Sequence, residues 1–211
     1  MLKLTNYQLY SRCKTKTYLK NLPSTSVIVI FHNEYWSILL RTVHAIVNRT
    51  PKELLHEIIL VNDKSTKTEL YEPLQKYVAE NFNGVVKILN LPERKGLIVT
   101  RMEGAKIATG EVLVFFDSHI EVNVNWLPPL LEPIAINPKV GTCPIVDNFS
   151  YDTFKYEKNG DGSRGVFDWN FIYHWLPRRP QDMIEPDKPF SLPIMLGCAF
   201  VIISKLFFNI T

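Results

Sequence analysis

This chain is poor in cysteine, in excess charge of either sign and in apolar sequence at its start. Its three cysteines, Cys13, Cys143 and Cys198, are widely spaced and form no C-x-x-C pair, so neither a zinc knuckle nor a redox-active dithiol is predicted. The net charge of +3 is too small to favour nucleic acid or an anionic membrane surface as a partner. Residues 1–21 are polar and basic, and no membrane anchor or signal peptide is predicted in them.

Common phosphate-binding and hydrolase motifs are also missing. No G-x-G-x-x-G follows the first predicted strand and no G-x-x-x-x-G-K-S/T occurs, which argues against a dinucleotide-binding Rossmann domain and against a P-loop nucleotidase. No G-x-S-x-G is present to expose a hydrolase nucleophile. If the protein binds a nucleotide, the phosphate charge must be met in another way.

What the sequence does contain is a regular alternation of strand and helix patterns. Strands are predicted at 26–31, 57–61, 85–89 and 112–116, with helices at 33–51, from 67 to 78 and at 96–108, the last ended by Gly110. Continuous apolar strands that alternate with helices form a mostly parallel sheet covered on both faces. The sequence therefore predicts an α/β fold.

The pattern loosens after residue 117. A helix is predicted at 126–135, and further strands at 141–146 and 195–203. The stretch between them, 147–193, is rich in Pro, Gly, Asp and aromatic residues and is interpreted as a long irregular functional loop or lid.

Asp117, Ser118 and His119 directly follow the most apolar predicted strand. A carboxylate and an imidazole one residue apart can share a divalent metal ion, and ligands of open α/β sheets bind at the carboxyl ends of the strands. The alternative is that Asp117 only forms a turn and that His119 is structural. Spacing alone leaves both interpretations open.

Other polar residues follow the other predicted strands. His32, Asn33 and Glu34 follow the first strand, Asp63 the second, and Arg94 the third. If the strands are parallel neighbours, these side chains meet at one edge of the sheet and suit a nucleotide diphosphate held through a metal, with Arg94 as a bidentate cation. The alternative is that each residue merely ends its strand.

Taken in order, these segments resemble the catalytic domain of the polypeptide N-acetylgalactosaminyltransferases, over nearly the whole chain. The resemblance implies a GT-A fold that transfers GalNAc from UDP-GalNAc to Ser or Thr of acceptor polypeptides, with retention, with Mn2+ and in the Golgi lumen. It also implies that residues 1–25 are an N-terminal extension, that 26–211 are part of the catalytic domain, and that no lectin domain is included. The matching segments are 13–16, 21–26, FHNEYWS at 31–37, 40–43, EIILVND at 57–63, RKGLI at 94–98, DSH at 117–119, WL at 126–127, CPIVD at 143–147 and FDWN at 167–170.

The resemblance also implies roles for individual residues. Asp117 and His119 match the metal ligands, Asp63 the acid that reads the uracil, and Arg94 a basic residue beside the nucleotide. Trp169 matches a loop that contacts the acceptor or closes over the donor, although an aromatic ring buried under a loop is an equal alternative. The remaining matches are Glu34 and Glu121 as catalytic acids, and Phe31, His32, Gly96, Ser118 and Gly197 in the UDP-sugar site.

Several positions depart from the family pattern. Asn62, Val99 and Ile120 replace an acid, an arginine and a cysteine, and Cys198 replaces the second of two glycines, so that a side chain projects where the donor is expected. The chain also stops before the family's downstream metal-binding histidine, which leaves two protein ligands. We therefore expect little or no turnover from these 211 residues. The alternatives are an inactive relative that binds UDP-sugar or a protein partner, and an unrelated α/β nucleotide binder.

Overall fold

The structure is a computed structural model that describes residues 16–150, 152–153, 155–158, 162–185, 188–195 and 197–210. Cys13 and the rest of residues 1–15 lie outside the described residues. The chain forms two units. The larger comprises Lys20–Cys143 and Gly197–Thr211, and the smaller includes Pro144–Leu196. The predicted domain at 26–211 spans both.

Strands and helices alternate along the larger unit, and short strands make up the smaller one. In chain order the elements are β1 (Thr25–Phe31), α1 (Trp36–Arg49), β2 (Leu55–Asn62), a 3-10 turn (Thr68–Leu70), α2 (Glu72–Asn81), β3 (Val86–Asn90), α3 (Leu97–Ile107), β4 (Val112–Asp117), α4 (Pro128–Ile136), β5 (Asn148–Phe149), β6 (Tyr156–Glu157), β7 (Ser163–Phe167), β8 (Tyr173–Pro177), a second 3-10 turn (Pro180–Met183), β9 (Ala199–Ile203) and α5 (Ser204–Ile210).

The larger unit is built on one five-stranded sheet in the order β3-β2-β1-β4-β9. Strands β1 to β4 are parallel, and β9 pairs antiparallel with β4. At the centre, Ile28 of β1 lies between Ile59 of β2 and Phe115 of β4, and all three side chains are fully buried. Burial of each such side chain contributes about 1.5–3 kcal/mol. The predicted mostly parallel α/β fold is confirmed.

Helix α3 packs closely on this sheet because it carries a glycine at the contact. A Cβ on Gly104 would lie 2.6 Å from Cγ2 of Ile28 and 2.9 Å from Cγ2 of Val61. Both distances are too short for a real contact, so a side chain at this position would push α3 away from β1 and β2. This close packing fixes the loop before α3 at the carboxyl edge of the sheet.

Several of the predicted elements differ in extent from the observed ones. The helix predicted from residue 67 is interrupted, because a 3-10 turn ends at Leu70 and α2 begins at Glu72. Pro73 favours this start, since proline is tolerated in the first helical turn but not in the interior. The helix predicted at 96–108 ends at Ile107 rather than at Gly110.

The strand predicted at 141–146 is wrong. Thr142 makes only an isolated antiparallel bridge to Val201, and Pro144 has no N–H with which to continue a ladder. The strand predicted at 195–203 begins only at Ala199, which pairs with Phe116 near the end of β4. Leu196, within that prediction, lies outside the described residues.

The smaller unit holds more regular structure than the predicted irregular loop. Strands β5 and β6 pair antiparallel, and so do β7 and β8. Trp169 and Phe171, in the turn between β7 and β8, are 100% and 84% exposed. No helix among the residues that the structure describes is both long enough and apolar enough to cross a bilayer.

Candidate functional site

Four of the polar residues predicted to meet at one edge of the sheet do so. His32 and Glu34 follow β1, Asp63 follows β2, and Asp117 is the last residue of β4. Because these three strands are parallel neighbours, their carboxyl ends share one edge. His32 donates from Nδ1 to the carbonyl oxygen of Asp63 at 2.8 Å, which joins the ends of β1 and β2.

Glu34 links the end of β1 to the residues after β4. Its Oε2 accepts the Ser118 hydroxyl at 2.7 Å and Nδ1–H of His119 at 3.0 Å. Burial raises the pKa of Glu34, but these hydrogen bonds and the backbone N–H of Tyr35 outweigh it and hold the pKa below its usual value. Glu34 is therefore ionised near neutral pH and fixes the tautomer of His119, whose Nε2 is left for another partner.

Asp117 lies in a less favourable electrostatic environment. Burial raises its pKa, and the lowering effects of Arg101 and His119 do not compensate. Arg101 Nη2 is 3.6 Å from Asp117 Oδ1 and also donates to the carbonyl oxygen of Gly197. Arg101 is itself largely buried, and its Nε has no hydrogen-bond partner among the described residues. This carboxylate therefore has little local charge compensation.

Asp63 holds the loop that precedes α3. Its Oδ1 accepts the backbone N–H of Lys95 at 2.7 Å, and its Oδ2 accepts that of Gly96 at 2.9 Å. Gly96 adopts a φ of 78°, a left-handed conformation that glycine reaches without strain. A side-chain role of Asp63 toward uracil stays a prediction.

The structure brings some predicted ligand-site residues together and not others. Ser118 bonds to Glu34, and Gly197 bonds to Arg101. The ring of Phe31 is buried in the sheet, so it offers a ligand no surface. Arg94 is exposed and makes no hydrogen bond or ion pair with any other residue of the described ranges. It is available to an anionic ligand.

Glu121 does not share the hydrogen-bonded cluster around Glu34. Its Oε2 accepts Nε of Arg41 at 2.6 Å and also contacts Nη2 of the same residue, while its Oε1 lies 2.9 Å from Nη2 of Arg49. The Glu121 side chain is 8% exposed. Its predicted catalytic role stays untested.

Trp169 belongs to the smaller unit, in the turn that Asp168 organises. Asp168 accepts the N–H groups of Asn170 and Ile172 at 2.8 and 3.0 Å and Nε2 of His174 at 3.0 Å. The alternative of an aromatic ring buried under a loop is wrong for Trp169, because the ring is fully exposed. A role toward the acceptor or donor stays a prediction.

No role is predicted from the sequence for Arg41, Arg49 or Arg101. The only available signal was spacing, since Arg41 and Arg49 lie two helical turns apart on one face of α1. A basic pair on an amphipathic helix is usually a solvated surface, so the pattern did not indicate a buried acid as its partner.

The model of the glycosyl transferase family 2 matches residues 26–209, and the chain therefore belongs to that family. N-acetylgalactosaminyltransferase 4 of Drosophila melanogaster is 51% identical over 94% of this chain and 31% of the relative. Human polypeptide N-acetylgalactosaminyltransferase 10 is 48% identical over 95% of this chain and 33% of the relative. The chain thus spans about a third of the length of these relatives.

A solved structure of a similar protein has the same fold. The crystal structure of GalNAc-T7 with UDP, GalNAc and Mn2+ superposes with a TM-score of 0.91 at 37% identity, covering 97% of this chain and 39% of that one. The predicted GT-A fold and the resemblance to polypeptide N-acetylgalactosaminyltransferases are confirmed.

Proposed function

We propose that this chain is part of a polypeptide N-acetylgalactosaminyltransferase that transfers GalNAc from UDP-GalNAc to Ser or Thr hydroxyls of polypeptides, with retention. The observation that carries the proposal is the carboxylate of Glu34, which ties Ser118 and His119 to the end of β1 beside Asp117. Such a cluster, at the carboxyl edge of a parallel sheet, is where α/β proteins bind nucleotides. A Golgi location, implied by the resemblance, stays a prediction.

The donor atoms of Asp117 and His119 fit a divalent metal such as Mn2+. The pair offers a carboxylate and an imidazole, and Glu34 on Nδ1 of His119 matches the carboxylate that commonly orients a metal-binding histidine. No group of three or more His, Cys, Asp or Glu side chains able to hold a metal occurs within the described parts of the chain. A metal held by these two residues would also need other oxygen ligands, which a diphosphate would supply. Bound there, the metal would supply Lewis-acid stabilisation of charge on the departing diphosphate.

The chain's own residues would contribute positioning and charge. Exposed Arg94 would bind the diphosphate as a cation, because departure of UDP builds negative charge there. Glu34 would hold Ser118 and His119 in place rather than take a proton, since its pKa is already below the usual value. These interactions strengthen as charge develops and so favour the transition state over the ground state.

UDP binding without turnover is the second candidate function. It is favoured by Cys198, whose half-buried thiol interacts with Asp117 and Arg101 where the family pattern has a glycine. Burial first, and the charge of Asp117 second, raise the pKa of this thiol, so it remains a neutral group of some bulk beside the carboxylate. The two functions differ in whether the sugar leaves UDP.

Two measurements on the 211-residue chain separate these functions. Calorimetry with UDP and Mn2+ tests binding, and transfer of labelled GalNAc from UDP-GalNAc to a Ser/Thr peptide tests turnover. Binding that Asp117→Asn weakens supports the site, and transfer above background supports the first function over the second. Glu80→Gln, the same change of carboxylate to amide at an exposed position of α2, is the matched control. UDP binding that is unchanged in Asp117→Asn would contradict both functions.

A further inference from the structure

The segment that follows β4 has no regular structure of its own. Strand β4 ends at Asp117, and α4 begins only at Pro128. Residues between them, including Ser118 and His119, cannot be fixed by a strand ladder or a helix. Their positions must come from tertiary contacts.

Most of those contacts come from α1 and its carboxyl end. Thr42 donates to the carbonyl oxygen of Ser118 at 2.8 Å, and Arg49 Nη1 donates to that of Val122 at 2.7 Å. Trp126 Nε1 donates to the Thr50 hydroxyl at 3.0 Å. The segment is therefore bound to α1 near its start, in its middle and near its end.

Glu121 supplies the charged contacts in this set. Arg41 binds one of its oxygens through two nitrogens, and Arg49 reaches the other oxygen at 2.9 Å. Both carboxylate oxygens are thus engaged by guanidinium groups, and the side chain is almost excluded from solvent. A two-nitrogen contact from arginine restricts direction as well as distance. A group held in this way is poorly placed to exchange protons with a substrate.

We infer that Glu121 is a positioning residue rather than a catalytic acid. Through Arg41 and Arg49 it fixes the segment after β4 on α1, and so sets where Ser118 and His119 lie relative to Asp117. The inference rests on the proposed function for its consequence in ligand binding, and on geometry alone for its effect on the segment. It gives helix α1 a role in a site that α1 residues do not line.

The distinguishing test compares substitutions at both ends of the contact between Arg41 and Glu121. Glu121→Gln and Arg41→Met remove opposite charges from one contact, so a positioning role predicts the same defect from each. We expect Mn2+-dependent UDP binding to weaken about 10-fold in each, as for other residues that orient metal ligands. The double variant should be no more than about 3-fold worse than either single one, because the two share one interaction. Arg41→Lys, which keeps the charge but not the planar fork, should be intermediate.

A catalytic acid predicts a different pattern. Glu121→Gln would then lower transfer with UDP affinity unchanged, and Arg41→Met would resemble the starting protein. Lys76→Met, which removes a charge at an exposed position of α2, is the matched control for the arginine variant. Affinity lost in Glu121→Gln but retained in Arg41→Met would overturn the positioning role.

Hydrogen exchange makes the result independent of the proposed function. Both substitutions should speed amide exchange across residues 118–126 by a similar factor while leaving β2 and β3 unchanged. Equal exchange in all proteins would overturn the inference even if UDP binds. If the starting chain does not bind UDP while the segment still loosens as expected, the proposed function fails and the positioning role stands.

Discussion

At the amino-terminal edge of the sheet, Glu57 is almost fully buried and accepts hydrogen bonds from Lys87, Ser26 and Thr109. At the carboxyl edge, half-buried Asp117 has a guanidinium at 3.6 Å. Burial raises the pKa of both acids, but the donors around Glu57 reverse the effect and lower its pKa to about 2, whereas that of Asp117 stays raised. One sheet thus compensates buried charge fully at one edge and incompletely at the other.

The difference separates stability from binding. A carboxylate surrounded by donors holds the turn between α3 and β4 in place and has no capacity left for a ligand. A carboxylate with too few donors raises the energy of the free protein, and this energy is recovered when a cation binds. An acid whose pKa is raised by burial and that has one specific charged partner is a candidate binding residue. Asp117 fits that description better than Glu57.

The largest effect on stability should follow from removing the carboxylate of Glu57 at the amino-terminal edge of the sheet. Glu57→Gln removes the ion pair with Lys87 and leaves several donors without a carboxylate, so we expect the free energy of unfolding to fall by about 3 kcal/mol. Urea denaturation followed by tryptophan fluorescence measures this. UDP binding by the folded fraction should be unchanged. A loss within about 0.5 kcal/mol, the range expected for exposed Glu80→Gln, would mean that the network does not stabilise the fold.

Acidification should remove the same stabilisation gradually. The folded pKa of Glu57, about 2, lies below its usual value of 4.5, so folding favours the ionised form. Its contribution, about 2 kcal/mol when half-exposed Lys87 is taken into account, is complete above pH ~5 and is lost as the pH falls toward 2. Unfolding curves of the starting protein and Glu57→Gln should converge between these values. A constant gap would assign the stabilisation to packing instead.

The opposite edge should respond in binding rather than in stability. Asp117→Asn should weaken Mn2+-dependent UDP binding by at least about 10-fold, roughly 1.4 kcal/mol, because it removes a charged ligand. The free energy of unfolding should change by less than about 1 kcal/mol, since the raised pKa means that the carboxylate gives little stability to lose. Calorimetry and urea denaturation of the same sample check both. A large loss of stability without a loss of affinity would reverse the comparison.

The sequence predicts the sheet better than it predicts the contacts at its edges. Strands β1 to β4 are continuous apolar runs because they are buried on both faces, and that pattern is local. The strand predicted at 141–146 fails because Thr142 pairs at one position only, which depends on where Val201 lies.

Contacts between distant residues explain what else the sequence could not reveal. Glu121 is 80 residues from Arg41 in the chain, so no local pattern connects them. The positions of Asp117 and His119 could be predicted because both residues lie at the end of an apolar strand. The role of Glu121 depends on how α1 lies against the segment after β4.

Substitution of Cys198 should have the smallest effect on binding, and it compares two neighbouring positions at the carboxyl edge. A Cβ on neighbouring Gly197 would meet nothing within 4 Å, so open space adjoins this position, while Cys198 presents a half-buried thiol beside Asp117. Cys198→Gly should strengthen UDP-GalNAc binding about 3-fold, roughly 0.7 kcal/mol, and lower the free energy of unfolding by about 0.5–1 kcal/mol through the added flexibility of glycine. Cys198→Ala is the control, because it keeps the Cβ and removes only the sulfur. Equal gains from both variants would identify the thiol as the obstacle, a gain from glycine alone would identify the Cβ, and no gain from either would show that this side chain does not limit the fit of the sugar.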